Sequence, residues 1–256
     1  MGDNWYKKWF GTKDYLELYK HRNDKDAAQI AGLLTRSVKL PKGAKVMDLA
    51  SGNGRHSLIF AKKGFNVTGI DLSKYLIGEA KKKLKGDYKK FSGKLKFEIG
   101  DMRDIAHKNE FDLVVNLFSS FGYFEKDSEN FKVIKSISRS LKKGGYFFFD
   151  YLNAEYLRNH LKPFDMSMRN HNVIFQVREI KANAVYKSII IVKNDKSAKS
   201  PLVCKFHEMV KLYNLADYKK VFTKYGLKIV KTFGDYSGSK FSASGSNRLI
   251  ILAQKK

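Results

Sequence analysis

The chain has 256 residues, 43% of them hydrophobic, which is enough for one domain with a sizeable core. A single cysteine, Cys204, excludes an internal disulfide, and no Cys/His cluster has the spacing of a metal site. No signal-like or long apolar segment occurs, so we expect a cytoplasmic protein without a membrane span. The net charge of +25 makes a nucleic-acid partner possible. Only nine basic residues are Arg, the residue that phosphate and base contacts favour, so this partner is not preferred.

Aromatic residues crowd the N-terminal segment, where Tyr15, Leu16 and Tyr19 have helical spacing. Apolar residues at helical intervals continue over residues 26–38, and Pro41 ends that pattern. The segment 1–40 is therefore predicted to form helices. These either pack on a sheet or form a lid over a ligand site.

The stretch from Val46 to His56 organises the rest of the chain. An apolar run reaches Asp48, a turn of small residues follows with Gly52 and Gly54, and helical periodicity then begins. This pattern predicts a strand, a tight turn and a helix. The helix directs free N–H groups and a partial positive charge towards the turn.

A second predicted strand, residues 65–70, ends at Asp71. An acid at the tip of the second strand of a βαβ unit is placed to accept hydrogen bonds from ribose hydroxyls. The unit therefore predicts an adenosine-ligand site. A dinucleotide turn has Gly-x-Gly-x-x-Gly, whereas Ala50 replaces the first glycine here, and the preceding Asp48 would repel a pyrophosphate. A ligand with a zwitterionic amino-acid tail suits these residues better.

At this point the sequence resembles the class I S-adenosylmethionine-dependent methyltransferases, whose first motif is matched by Asp48, Ala50, Gly52 and Gly54. Further landmarks follow in the order of that family, at Asp101-Met102 and at the glycine-led fifth strand ending at Asp150. The resemblance implies S-adenosylmethionine as cofactor and S-adenosylhomocysteine as product. It implies an α/β fold with a seven-stranded Rossmann-like sheet, mostly parallel with an antiparallel edge. The residues that it places at the cofactor are Asp48, Ala50, Gly52, Gly54, Arg55, Asp71, Leu72, Asp101, Met102, Leu117, Tyr15, Tyr19 and Arg22.

The predicted fourth strand, residues 113–118, is followed by a polar and aromatic segment that ends at Tyr123. Ligands bind beyond the carboxyl ends of parallel strands, so this segment is expected between donor and acceptor. The candidates for the acceptor pocket are Phe118, Tyr123, Tyr151 and His160. The prolines that amino-directed nucleic-acid methyltransferases carry here are missing, which counts against base methylation. No residue stands out as a catalytic base.

Three alternating segments, residues 172–181, 184–193 and 202–212, predict an antiparallel meander that follows the fifth strand. It is expected to cover the acceptor site or to form a homodimer contact. One helix and two final strands then complete the core. We therefore expect a single domain with a lid (1–40), a cofactor-binding core (41–151), a β insertion (152–213) and a C-terminal completion (214–256).

Methyl transfer to a small-molecule acceptor is the leading hypothesis, and three alternatives remain. The first is an RNA acceptor, which the basic charge would serve. The second is a nicotinamide-dependent oxidoreductase, which the altered glycine motif and Asp48 oppose. The third is a binding module that uses the same fold without catalysis.

Overall fold

A computed structural model describes residues 4–20, 24–87, 93–193 and 201–256. The helices in chain order are α1 (Trp5–Trp9), α2 (Lys13–Leu18), α3 (Asp24–Ser37), α4 (Arg55–Lys62), α5 (Lys74–Asp87), α6 (Asp127–Ser140), α7 (Ala154–Asn159) and α8 (Leu215–Lys224). The strands are β1 (Lys45–Leu49), β2 (Asn66–Asp71), β3 (Leu95–Ile99), β4 (Phe111–Asn116), β5 (Leu141–Leu152), β6 (Phe164–Arg169), β7 (Asn172–Lys181), β8 (Ala184–Lys193), β9 (Leu202–Lys211), β10 (Leu227–Phe233) and β11 (Arg248–Lys255). Among the described residues, no helix combines the length and apolarity needed to cross a membrane.

Seven strands form the core sheet in the order β10-β11-β5-β4-β1-β2-β3. The pairs from β3 to β5 are parallel, whereas β11 runs antiparallel to both β5 and β10. The predicted parallel sheet with an antiparallel edge is confirmed. The chain order reverses between β1 and β4, so a crevice opens at the carboxyl ends of these two strands, where ligands bind in such sheets.

Helices cover both faces of the core sheet because its strands are apolar on both sides. On β5, Phe147 and Phe149 join the cluster that contains α6 and α8, whereas Phe148 joins the cluster that contains α3, α4 and α5. Successive strand residues point to opposite faces, so three consecutive phenylalanines serve two separate hydrophobic layers. This double cover fixes where the strand ends, and with them the site, lie.

A second sheet, β6-β7-β8-β9, is antiparallel throughout. Three of its strands follow the predicted meander, but the sequence did not predict β6. Its alternation is inverted: Met166 and Met168 are 58% and 72% exposed, whereas the polar Asp165, Ser167 and Arg169 line a cavity. The alternation of apolar and polar residues over β6 is itself a strand signal, whereas the side that faces solvent depends on the rest of the fold.

The N-terminal helices pack on the inner face of this second sheet. Trp9 and Leu18 are almost fully buried against Ile174, Ile189 and Ile191. The Trp9 indole Nε1 donates a hydrogen bond of 2.6 Å to Glu208 on β9. The predicted packing role is therefore observed, on the second sheet, and residues of the same segment line cavities, whereas the lid over a ligand stays a prediction.

Candidate active site

The turn between β1 and α4 has left-handed backbone at Ala50, Gly52 and Gly54, with φ angles of 59°, 57° and 79°. A Cβ added to Gly52 would meet no atom within 4 Å. A Cβ added to Gly54 would lie 2.5 Å from the Phe97 ring. The two glycines therefore have different reasons to lack a side chain: Gly52 keeps a space open, and Gly54 packs against the core.

Asp71 at the tip of β2 holds this turn in place. Its carboxylate accepts hydrogen bonds of 2.8 Å from the backbone N–H groups of Gly52 and Ser73. Burial raises the pKa of Asp71, although these hydrogen bonds oppose the effect. A carboxylate has more lone pairs than two N–H groups occupy, so it can still accept a bond from a ligand hydroxyl.

Asp48 lies beneath the turn and is only 2% exposed. Its carboxylate accepts a 2.6 Å hydrogen bond from Ser57 Oγ at the start of α4. Burial raises the pKa of Asp48 to about 7, and the nearby charge of Asp71 adds to the effect, whereas Ser57 and Arg55 oppose it. A positively charged ligand beside this group would favour its ionised form.

Asp101 follows β3 and lies at the same edge of the sheet. Partial burial disfavours its charge, but a bidentate contact from Arg103 outweighs burial and lowers the pKa of Asp101. Arg103 also bonds to Glu129 and lies 4.4 Å from the centre of the Phe124 ring. The Asp101 side chain is therefore held in one orientation before any ligand arrives.

A cavity of about 470 Å³ opens over the tips of β1, β2 and β3. We call it the nucleoside cavity, after the nucleoside part of the predicted ligand. Ala50 and Gly52 contribute backbone, Asp71 and Asp101 contribute carboxylates, and most of the remaining lining is apolar. The sequence did not predict part of its wall, which comes from the N-terminal segment and from residues after β2 and β4. These residues are Tyr6, Lys7, Phe10, Gly11, Ser73, Lys74, Tyr75, Leu76 and Phe124, whereas Ser120 lies in the segment that was expected between donor and acceptor.

A neighbouring cavity of about 480 Å³ adjoins the same turn. We call it the tail cavity, after the amino-acid tail of the predicted ligand. It shares Tyr15, Ala50, Gly52 and Ser120 with the nucleoside cavity. The predicted cofactor residues that line one or both cavities are Tyr15, Tyr19, Asp48, Ala50, Gly52, Arg55, Asp71, Leu72, Asp101, Met102 and Leu117. Gly54 lines neither cavity because it packs on Phe97, and Arg22 lies outside the described residues.

A third cavity of about 510 Å³, the acceptor cavity, lies between the core and the inner face of the second sheet. Phe10, Tyr15 and Tyr123 line both this cavity and the nucleoside cavity. The ring centre of Phe10 lies 5.0 Å from that of Tyr15 and 5.3 Å from that of Tyr123, so the three rings form one aromatic partition between the two cavities. Phe118 lines the acceptor cavity and the tail cavity.

Two residues predicted for the acceptor pocket lie elsewhere. Tyr151 is fully buried in the core, and its hydroxyl donates to the carbonyl of Lys211. His160 is exposed and stacks on Tyr156, with ring centres 4.0 Å apart. Tyr151 is on β5 with its side chain facing α8, and His160 caps the short helix α7, so neither lines the acceptor cavity.

The sequence also did not predict the polar row on the wall of the acceptor cavity. Arg178, Lys187 and Glu208 are register neighbours on β7, β8 and β9, and all three line the cavity. The side chains of Lys187 and Glu208 are 13% and 14% exposed, and they form an ion pair of 3.3 Å. The Tyr19 hydroxyl donates a 2.6 Å hydrogen bond to Glu208. The alignment of these three charged residues across the strands would have been the signal for this cavity wall. It can be recognised only when the register of the strands is known.

Comparison with known proteins decides the family. A model described as a methyltransferase domain matches residues 40–220. The chain belongs to this methyltransferase family. The enzyme is a class I methyltransferase with S-adenosylmethionine as its cofactor, which agrees with the glycine turn and the three carboxylates at the strand tips.

Two curated relatives match the methyltransferase over most of its length. It is 24% identical to the cypemycin N-terminal methyltransferase of a Streptomyces species, over 83% of this chain and 84% of the relative. It is 26% identical to the dTDP-3-amino-3,4,6-trideoxy-alpha-D-glucopyranose N,N-dimethyltransferase of Streptomyces venezuelae, over 83% and 86% of the two chains. A shorter match, 37% identical over 43% of either chain, is to YqeM of Bacillus subtilis, which is provisionally named a methyltransferase.

Among solved structures, a S-adenosylmethionine-dependent methyltransferase from Clostridium acetobutylicum has a TM-score of 0.78 at 20% identity, over 94% of this chain and 96% of that chain. A likeness at this identity supports the fold. The residues present also fit the cofactor. Cavities of a few hundred Å³ with apolar walls and a few polar groups are typical of small-molecule sites, and Gly52 leaves open space at their junction.

Substitution of Gly52 tests the cofactor site. We expect Gly52→Ala to weaken S-adenosylhomocysteine binding at least tenfold because the new methyl group enters the ligand space, while a left-handed alanine costs about 1–2 kcal/mol of stability. Calorimetry and thermal unfolding measure the two effects. Gly54→Ala is the matched control, since its methyl group meets Phe97 and should reduce stability more. Normal binding by Gly52→Ala would contradict the assignment.

The raised pKa of Asp48 predicts a pH dependence. The folded state keeps the proton up to a pH of about 7, whereas an unfolded Asp loses it near about 3.9. The stability that Asp48 contributes is therefore full at low pH and is lost as the pH rises to about 7. We expect Asp48→Asn to flatten the dependence of the unfolding free energy on pH over this window.

Cofactor binding should show the opposite trend, because a positively charged sulfonium favours the ionised carboxylate. We expect the affinity for S-adenosylmethionine to rise by up to about tenfold between pH 5.5 and 7.5, measured by calorimetry. The neutral Asp48→Asn variant should show a smaller rise. A wild-type affinity that does not change over this range would refute the role of Asp48.

Proposed function

We propose that the methyltransferase modifies a small polar molecule bound in the acceptor cavity, with an amine nitrogen as the methylated atom. The main support is that this cavity meets the nucleoside cavity at the aromatic partition of Phe10, Tyr15 and Tyr123. Two relatives that match over most of their length are named as methyltransferases of amines, one on a peptide N-terminus and one on an amino sugar.

The cofactor, when bound, supplies a methyl group on a positively charged sulfur. The acceptor atom takes the methyl group and displaces the sulfur in line. The chain provides position and exclusion of water. Asp48, Asp71 and Asp101 would hold the donor at the strand tips. Tyr15 and Tyr123 line both the nucleoside cavity and the acceptor cavity, and the faces of their rings can attract a positive charge where these two cavities meet.

Asp165 is the acid that we assign to the acceptor amine. It lines the acceptor cavity, forms an ion pair of 2.6 Å with the exposed Lys162 and has a long contact with Gln176. The charges of Arg178 and Lys187 in the same cavity also favour its ionised form. Glu208 is occupied by Trp9, Tyr19 and Lys187. A neutral amine is already a nucleophile, so we assign no general base.

An acceptor panel tests this proposal. The enzyme is incubated with S-adenosylmethionine and an amino-sugar nucleotide, a peptide with a free N-terminus, their hydroxyl analogues and total RNA. We expect methylated product, detected by mass spectrometry, from amines only. Asp165→Asn should lower turnover about tenfold without changing S-adenosylhomocysteine affinity, with Asp104→Asn as an exposed control. Methylation of RNA alone would favour the RNA acceptor instead.

We also propose that a second copy of the chain covers the outer face of the second sheet. Phe164, Met166, Met168, Val177 and Val203 are between 47% and 72% exposed on this face. Four strands about 4.8 Å apart and six residues of about 3.4 Å each give a face of roughly 400 Å². The largest apolar patch on a protein is often a binding site, and an identical face on a second copy is equally apolar.

Light scattering after size-exclusion chromatography tests the dimer. We expect a dimer mass for the wild type and a monomer for Met166→Lys, because a charge in the middle of the exposed edge strand β6 disfavours burial of this face. Val230→Lys is the matched control, since Val230 is 50% exposed on β10 of the core sheet. A wild-type monomer at micromolar concentration would refute the proposal.

A further inference from the structure

The turn after β4 has two consecutive residues in left-handed backbone, Phe118 with φ of 55° and Ser119 with φ of 60°. Neither is glycine, so both positions are unfavourable and must be held by their surroundings. The turn lies at the junction of two cavities: Phe118 lines the tail and acceptor cavities, and Ser119 lines the acceptor cavity.

Asp150, a fully buried residue near the end of β5, holds this turn. Its Oδ2 accepts a 2.9 Å hydrogen bond from the backbone N–H of Phe118. Its backbone carbonyl accepts a 3.0 Å hydrogen bond from the N–H of Ser119. One residue therefore binds both successive N–H groups of the strained turn.

Two residues from the C-terminal part of the chain fix Asp150 in turn. Arg248 at the start of β11 donates from Nε to Asp150 Oδ1 at 2.8 Å, and its Nη2 also reaches Ser119 Oγ at 3.1 Å. The Tyr236 hydroxyl donates to Asp150 Oδ2 at 3.0 Å. Arg248 therefore donates to one oxygen of the buried carboxylate and Tyr236 to the other, and these hydrogen bonds offset the cost of burying the carboxylate.

The position of the turn matters for the cofactor because of the Phe118 ring. This ring lies 5.2 Å from the ring of His56, and the Arg55 guanidinium lies 5.0 Å from its centre. Arg55 and His56 open α4 directly after the glycine turn, and both line the tail cavity. A turn that relaxed would shift the ring and change the shape of the tail cavity.

We propose that Asp150 is a positioning residue for methyl-donor binding, with Arg248 and Tyr236 as its supports. It lines neither the nucleoside cavity nor the tail cavity, and it acts through the backbone of Phe118 and Ser119. The inference needs only cofactor binding and does not depend on the identity of the acceptor.

Calorimetry with S-adenosylhomocysteine tests this role, at a temperature well below the unfolding midpoint of each variant. Asp150→Asn should weaken binding about tenfold because a hydrogen bond to a charged group is lost and the turn relaxes. The double variant Asp150→Asn with Ser119→Gly should regain most of the affinity, since glycine adopts left-handed backbone without help. A purely structural role for Asp150 would lower the unfolding midpoint and leave affinity unchanged.

Asp112→Asn is the matched control. Asp112 lies on β4 at the opposite end, where it pairs with Lys142 at 2.6 Å, so its loss should leave affinity unchanged. If Asp150→Asn does not fold, Tyr236→Phe removes one of the supporting hydrogen bonds and should weaken binding about threefold, with the same rescue by Ser119→Gly. Unchanged affinity, an equal loss in Asp112→Asn, or a loss that glycine does not restore would each overturn the proposal.

Discussion

The hydrogen bond between the Gly52 N–H and the Asp71 carboxylate is the contact on which the site depends. It joins the turn after β1 to the tip of β2, and the second oxygen of Asp71 accepts from Ser73 at the start of the next connection. The glycine turn therefore has one position relative to the sheet. Both cofactor-side cavities share Gly52, so a change in this bond would alter both.

Strained backbone also occurs at this edge of the core sheet. Ala50, Phe118 and Ser119 have left-handed backbone, and they lie on the turns that follow β1 and β4, on either side of the switch in strand order. Strained turns persist only where the surrounding structure holds them. Asp71 of β2 holds the turn after β1, and Asp150 of β5, supported by β11, holds the turn after β4. Such turns are fixed before the ligand binds, which lowers the cost of ordering them in the complex.

Much of the fold was predictable from sequence because each core element carries a local signal. The apolar run to Asp48, the glycine turn and the acid at Asp71 each depend on neighbouring residues, and the seven-stranded sheet follows from their order. The missed features depend on distant pairing. The side of β6 that faces the cavity is set by its pairing with β7, and Tyr151 is buried because α8 covers it. Asp150 and Arg248 are 98 residues apart, so no local pattern could connect them.

Three acids lie together at the candidate site although the chain as a whole is strongly basic. The formal charge is +25, yet the groups at the tips of β1, β2 and β3 include three carboxylates, and the cofactor carries a positive sulfonium. Charges on the surface are screened over about 8 Å at physiological salt, whereas groups in a cavity interact at short range with less screening. We therefore expect the nearby acids to contribute more to the affinity for the sulfonium than distant surface charges do. We expect the lysine-rich surface to influence encounter rates more than binding strength.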